Sequence, residues 1–153
     1  MSIEIEAQSC SFTLPGGWSH VPQRDVSRNY FEREDKLWGA YVKTLDFTAS
    51  EKSRSPSETA AYVQQVHKEA FCGLPNTNWK VVGIATTHGI NGAASTLDLY
   101  DESSTYRIVS RVIVAGPLAA HITLHNYLCD DLRASDREST AILLTVRELG
   151  ADT

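Results

Sequence analysis

The segment Ala93–Leu128 constrains this chain more than any other, because it alternates through three consecutive strand-length runs. Side chains alternate across an extended strand with period two. Tyr106, Ile108, Ser110, Val112 and Val114 therefore share one face, and Arg107, Val109, Arg111 and Ile113 the other. The run before it sets Leu97 and Leu99 against Thr96, Asp98 and Tyr100, and Asp101-Glu102-Ser103-Ser104 between the two has turn composition. A two-residue loop at Glu102-Ser103 pairs Leu97 with Ile108, Leu99 with Tyr106 and Asp98 with Arg107. A slip of one residue would oppose leucine to arginine, so the pattern favours this register. A three-residue loop, Gly116-Pro117-Leu118, then pairs Val112 with Ile122 and Ser110 with Leu124, and the inward set continues through Asn126 and Leu128. The outward face collects Asp98, Tyr100, Arg107, Val109, Arg111, Ile113, His121, His125 and Tyr127.

The rest of the chain supplies further strands and two helices. Ile3 and Ile5 alternate with Glu4 and Glu6, Phe12-Thr13-Leu14 follows, and Pro15-Gly16-Gly17 turns the chain into Trp18, read as a core anchor. Arg28–Arg33, Gly39–Phe47 and Trp79–Thr87 are strand candidates, and Gly39–Phe47 has no clear core side because Lys43 interrupts Tyr41, Leu45 and Phe47. Thr48–Arg54 reads as an exposed polar loop. Ser55-Pro56-Ser57-Glu58 is a capping box with proline at the first helical position. Behind it, Thr59, Tyr62, Val63, Val66 and Ala70 form a stripe at helical spacing, with Gln64, Gln65 and Lys68 pointing away, until Gly73 and Pro75 stop the helix. Asn91-Gly92 is a turn dipeptide. Ser135-Asp136-Arg137-Glu138 is a second capping box, opening a helix with Ile142, Val146 and Leu149 on one side and ending at Gly150. Strands in runs with two segregated helices give an α+β fold, an antiparallel β-sheet with two helices packed on one face, as one domain over residues 1–153.

Composition excludes several function classes. A net charge of −5 without a Lys/Arg-rich run speaks against nucleic acid. No apolar run approaches the roughly 20 residues of a spanning helix, so no membrane partner is expected. The N-terminal residues lack a basic region and an apolar core of signal-peptide type, and Cys10, Cys72 and Cys129 form no C-x-x-C pair, so a cytoplasmic location with thiols is expected. His121 and His125 lie about 13 Å apart on a regular strand, too far to share one metal ion. No nucleophile elbow, P-loop or dinucleotide fingerprint occurs. Carboxylates next to Cys129 would raise its thiol pKa, so activation there would need His125 or another cation. The reading is accordingly non-catalytic, with no cofactor and no metal. The outward sheet face, rich in tyrosine and arginine, is the candidate protein-docking surface, a second copy of the chain being one way to cover it. The rival is a small hydrolase or ligand-binding protein using the edge His121, His125 and Cys129.

Phe12-Thr13-Leu14-Pro15-Gly16-Gly17-Trp18, the helix Pro56–Phe71 with its Leu74-Pro75 exit, the meander Trp79–Leu128 and the closing helix Ser135–Leu149 together resemble the Mog1/PsbP/DcrB group of small α+β domains. That resemblance implies a non-enzymatic binding module. It includes cytosolic adaptor chaperones of type VI secretion effectors, which hold apolar effector segments on a sheet face. Arg107, Arg111 and the two histidines on the outward face add a second form of the same expectation, an immunity protein that masks a toxin domain.

Overall fold

The computed structural model describes residues 2–6, 10–24, 28–49, 54–88 and 92–148. Strands β1 (Ile3–Glu6) and β2 (Cys10–Leu14) form a hairpin, extended by the two-residue β10 (Arg147–Glu148). The main sheet has seven strands: β3 (Trp18–Val21), β4 (Arg28–Arg33), β5 (Trp38–Asp46), β6 (Trp79–His88), β7 (Gly92–Asp101), β8 (Tyr106–Ala115) and β9 (Leu118–Asn126). Their spatial order is β3-β4-β5-β9-β8-β7-β6, antiparallel throughout. Two meanders thus meet at the β5–β9 pair. The connection from β5 to the far edge carries helix α1 (Pro56–Cys72), and α2 (Leu132–Leu143) follows β9. No helix among the described residues is long and apolar enough to cross a membrane.

Helix α1 starts where its capping box places it. The Ser55 hydroxyl accepts from Glu58 N–H, and the Glu58 side chain accepts from Ser55 N–H. The helix lies over β6, β7 and β8. Close approach is possible because the facing surface is made of small residues: Ala60 on the helix, Ala93 on β7 and Ala119 on β9 are fully buried, with Val63, Val112 and Val114 around them. The buried side of the helix is Thr59, Ala60, Val63 and Gln64. The expected stripe is therefore rotated: Gln64 points in, while Tyr62 and Val66 are 44% and 48% exposed. Gln64 is held by polar partners, its amide donating to the Ser95 and Ser110 carbonyls and its oxygen accepting from the Ser110 hydroxyl.

The opposite sheet face packs on the small sheet and α2. Phe12, Leu14, Trp18, Phe31, Trp38, Val42, Ile113, Ile122, Leu124 and Ile142 form this larger core, which bears out Trp18 as an anchor. The α+β class and the antiparallel sheet hold. The two helices, however, sit on opposite faces: α1 reaches Ser110, whereas α2 reaches Arg107 and Arg111, whose side chains leave the other side of β8.

Both hairpin registers differ from expectation. In the first, Leu99 pairs with Ile108 and Asp98 with Val109, so the loop is Glu102–Thr105, four residues long. Asp101 organises it by accepting from the Ser103 N–H and hydroxyl, and Thr105 takes a positive φ of 49°. A shift of two leaves the faces unchanged. In the second hairpin Ala115 pairs with Leu118 across the two-residue loop Gly116-Pro117, with Gly116 at φ 60° as a primed turn requires at its first position. Val112 then opposes His121 and Ser110 opposes Thr123. This odd shift turns β9 over: Ile122, Leu124 and Asn126 join the α2 side, and His121, Thr123 and His125 join the α1 side. The last helix also differs. Asp131, not Ser135, is its cap, accepting from the Arg133 and Ala134 N–H groups, and the helix ends at Leu143 rather than running to Leu149. Ser135 is inside it and buried. Leu149 and Gly150, Asn91, and residues 50–53 of the polar loop lie outside the described residues.

Candidate functional site

The nine residues expected on one docking face are divided between two. Asp98, Tyr100, Arg107, Val109, Arg111 and Ile113 stay together on the α2 side, but as a covered interior and not an open surface. Val109 and Ile113 belong to the larger core. Arg107, 3% exposed, makes a two-point ion pair with Asp98, at 3.0 and 2.9 Å, across the β7–β8 diagonal. It also donates to the Ser135 and Ser139 hydroxyls and to Asp136 of α2, at 2.9, 3.1 and 3.2 Å. The Arg111 guanidinium donates to the Leu143 carbonyl and the Tyr100 hydroxyl to the Cys129 carbonyl. These polar groups fasten α2 and the chain leading into it.

His121, His125 and Tyr127 lie on the α1 side. Helix α1 lies mainly over β6 to β8, so part of the sheet surface of β9 and β5 beside it forms the floor of a cleft of about 680 Å³. Tyr41, Lys43 and Leu45 of β5, Phe47 just after it, and His121, Thr123 and His125 of β9 line the floor. Tyr62, Val63, Val66, His67, Ala70 and Phe71 of α1 form one wall. At one end, aromatic rings close together: Tyr41 lies edge-on to His125, and Tyr106 edge-on to both His125 and Tyr127. There the Tyr30 and Tyr127 hydroxyls share a hydrogen bond at 2.8 Å above Gly39. A Cβ at that position would come within 2.6 Å of the Tyr127 oxygen and nearer still to the Tyr30 hydroxyl, so only glycine admits the crossing tyrosines.

The cleft is electrically quiet except at one point. Burial lowers all three imidazoles, His67 and His125 to about 4 and His121 to about 3, so they are neutral at pH 7. The Lys43 ammonium, and the charge that His67 would carry if protonated, depress His121 further. His67 and His121 meet edge to face with centroids 4.9 Å apart, and His125 Nδ1 shares a 2.7 Å hydrogen bond with the Tyr106 hydroxyl. Among the described residues that line the cleft there is no carboxylate, and Lys43 is the one cationic side chain. Among the described residues no three histidine, cysteine or acidic side chains gather as a metal-holding group. Cys129 is buried and is not part of the lining, so the edge His121, His125 and Cys129 is not assembled around this cavity.

Sequence reasoning passed over the β5 residues and the exposed side of α1. Their signal was present as two interrupted apolar stripes, Tyr41/Leu45/Phe47 and Tyr62/Val66/Ala70. Neither stripe reveals that the other faces it.

No protein-family profile and no curated protein sequence matches the chain. Solved structures do. The cyanobacterial PsbP protein CyanoP of Synechocystis sp. PCC 6803 matches with a TM-score of 0.70 at 10% identity, over 96% of this chain and 92% of that one. A protein of Bacteroides thetaiotaomicron VPI-5482 matches with a TM-score of 0.52 at 12% identity, over 94% of this chain and 46% of that one. At these identities the likeness is one of fold, and the chain has a PsbP-like α+β fold.

Proposed function

We propose that this chain is a non-catalytic protein-binding module of the bacterial cytoplasm that lays an apolar helical segment of a partner into the cleft beside α1. The observation that carries this reading is the open floor of β9 and β5. Two strands at about 4.8 Å spacing offer a width of about 10 Å, and packed helices lie 8–10 Å apart. One further helix would therefore complete the layer that α1 begins. Exposed Tyr62 and Val66 on the wall and Leu45 and Phe47 on the floor give such a helix apolar contacts. Among the described residues no cysteine, serine or carboxylate lines the cleft, which favours binding over chemistry.

The resemblance to effector adaptors gives this module its most specific form, an adaptor that shields an apolar segment of a secreted effector. The immunity form has less support. It relied on Arg107, Arg111, His121 and His125 sharing one face toward a toxin; the two arginines are occupied by α2, and the histidines lie on the other side of the sheet. Co-expression with the proteins encoded beside its gene tests the reading. One of them should co-purify in stoichiometric amount through a short apolar helix. Val66→Arg should abolish that complex while leaving the melting temperature unchanged, since Val66 is already half-exposed. A complex that survives Val66→Arg and loss of the apolar helix would replace the adaptor with recognition of a folded domain.

A further inference from the structure

Lys43 occupies an unusual position. It sits mid-floor on β5 between Tyr41 and Leu45, directly opposite His121 on β9. It has no ion-pair partner among the described residues, although the chain as a whole carries an excess of acids, with a net charge of −5. The imidazoles around it are neutral. Arg54 adds a second cation at the helix wall, its guanidinium 4.1 Å from the centre of the Tyr62 ring. An apolar helix covering this floor would take the Lys43 ammonium out of water, which is costly unless an opposite charge arrives with it.

We propose that the helix received by the cleft carries a carboxylate in the middle of its apolar face, and that this carboxylate pairs with Lys43. The inference rests on the reading of the cleft as a helix site and adds to it the partner's distinguishing residue. A purely apolar helix leaves Lys43 buried without a counter-charge, and a helix with a central lysine adds repulsion. The carboxylate thereby turns a greasy trough into a selective one.

Fluorescence anisotropy of the full chain tests this with three 18-residue amidated peptides of leucine and alanine that differ only in the central residue of the apolar face: Glu, Gln or Lys. The Glu peptide should bind roughly tenfold more tightly than the Gln peptide, and the Lys peptide more weakly still. Lys43→Met should remove the preference and Lys43→Glu should invert it; both variants should melt like the parent. If Lys43→Glu fails to fold, Lys43→Met alone decides. Equal binding of the three peptides overturns the carboxylate and leaves the helix site standing. Failure of every peptide to bind overturns both, and binding of decanoate without any peptide replaces the helix with a lipid carboxylate.

Discussion

Lowering the pH from 7 to 5 should destabilise this fold by several kcal/mol, through three histidines. His67, His121 and His125 are held neutral by burial, with values near 4, 3 and 4, whereas an unfolded histidine titrates near 6.5. The unfolded chain therefore binds more protons than the native one between about pH 6.5 and pH 4 for His67 and His125, and down to about pH 3 for His121. Stability must fall as pH drops through that window and level off below it. At pH 5 an unfolded histidine is almost fully protonated and a native one of pKa 4 is about one-tenth protonated. Integrating the difference from pH 7 gives about 2 kcal/mol for each residue, and about 5–6 kcal/mol if the three act independently. Mutual repulsion among the rings, once any of them is charged, couples their titrations. Asp35, held down by Arg33, and Asp101, held down by Ser103, lie below the ordinary carboxylate range and titrate below this window.

Urea unfolding followed by the fluorescence of Trp18, Trp38 and Trp79 at pH 7, 6 and 5 measures this directly. With a slope of about 2 kcal/mol/M, each histidine should move the midpoint by about 1 M. His121→Phe should remove about a third of the pH dependence, even if it changes the stability at pH 7. A total change below about 1 kcal/mol between pH 7 and 5, or a dependence unaltered in His121→Phe, would show that these rings are hydrated in the native state and refute the burial assigned to them.

Three substitutions probe the fastenings of the fold. Arg107→Ala takes the counter-charge from Asp98 and one donor from each of the buried Ser135 and Ser139 hydroxyls, and should cost about 3–5 kcal/mol in chemical denaturation. Gln64→Leu removes the amide that bridges α1 to Ser95 and Ser110, and leaves the Ser110 hydroxyl without that acceptor; a loss of about 1–3 kcal/mol is expected in the same assay. Gly39→Ala forces Tyr30 and Tyr127 apart, so it should lower the melting temperature and change near-ultraviolet tyrosine dichroism together.

The two hairpins explain how far the sequence carries. Period-two alternation fixes a register only where one face of the strand is polar and the other apolar. On β8 both faces are apolar in part, Ile108/Val112/Val114 toward α1 and Val109/Ile113 toward the larger core, because each is covered. Turning β9 over merely exchanges Ile122 and Leu124 with His121 and Thr123 between two buried surfaces, and alternation alone is nearly indifferent to that exchange. The deciding information is local, in a glycine able to take φ 60° before Pro117, and it selects a two-residue loop. In contrast, the box at Ser55–Glu58 is read correctly because its partners lie within one helical turn. Arg107 sits between these cases. Its attraction to Asp98 is visible from the strand pattern, but Ser135 and Ser139 are 28 and 32 residues away, so its anchoring of α2 is not. The cleft depends on the longest-range fact of all, that β5 pairs with β9 while α1 crosses to the far edge. That single topological step leaves part of the β5–β9 face as the floor of a cleft beside α1, and it converts Lys43 from an interruption in a strand pattern into the one charge among the described residues lining that floor.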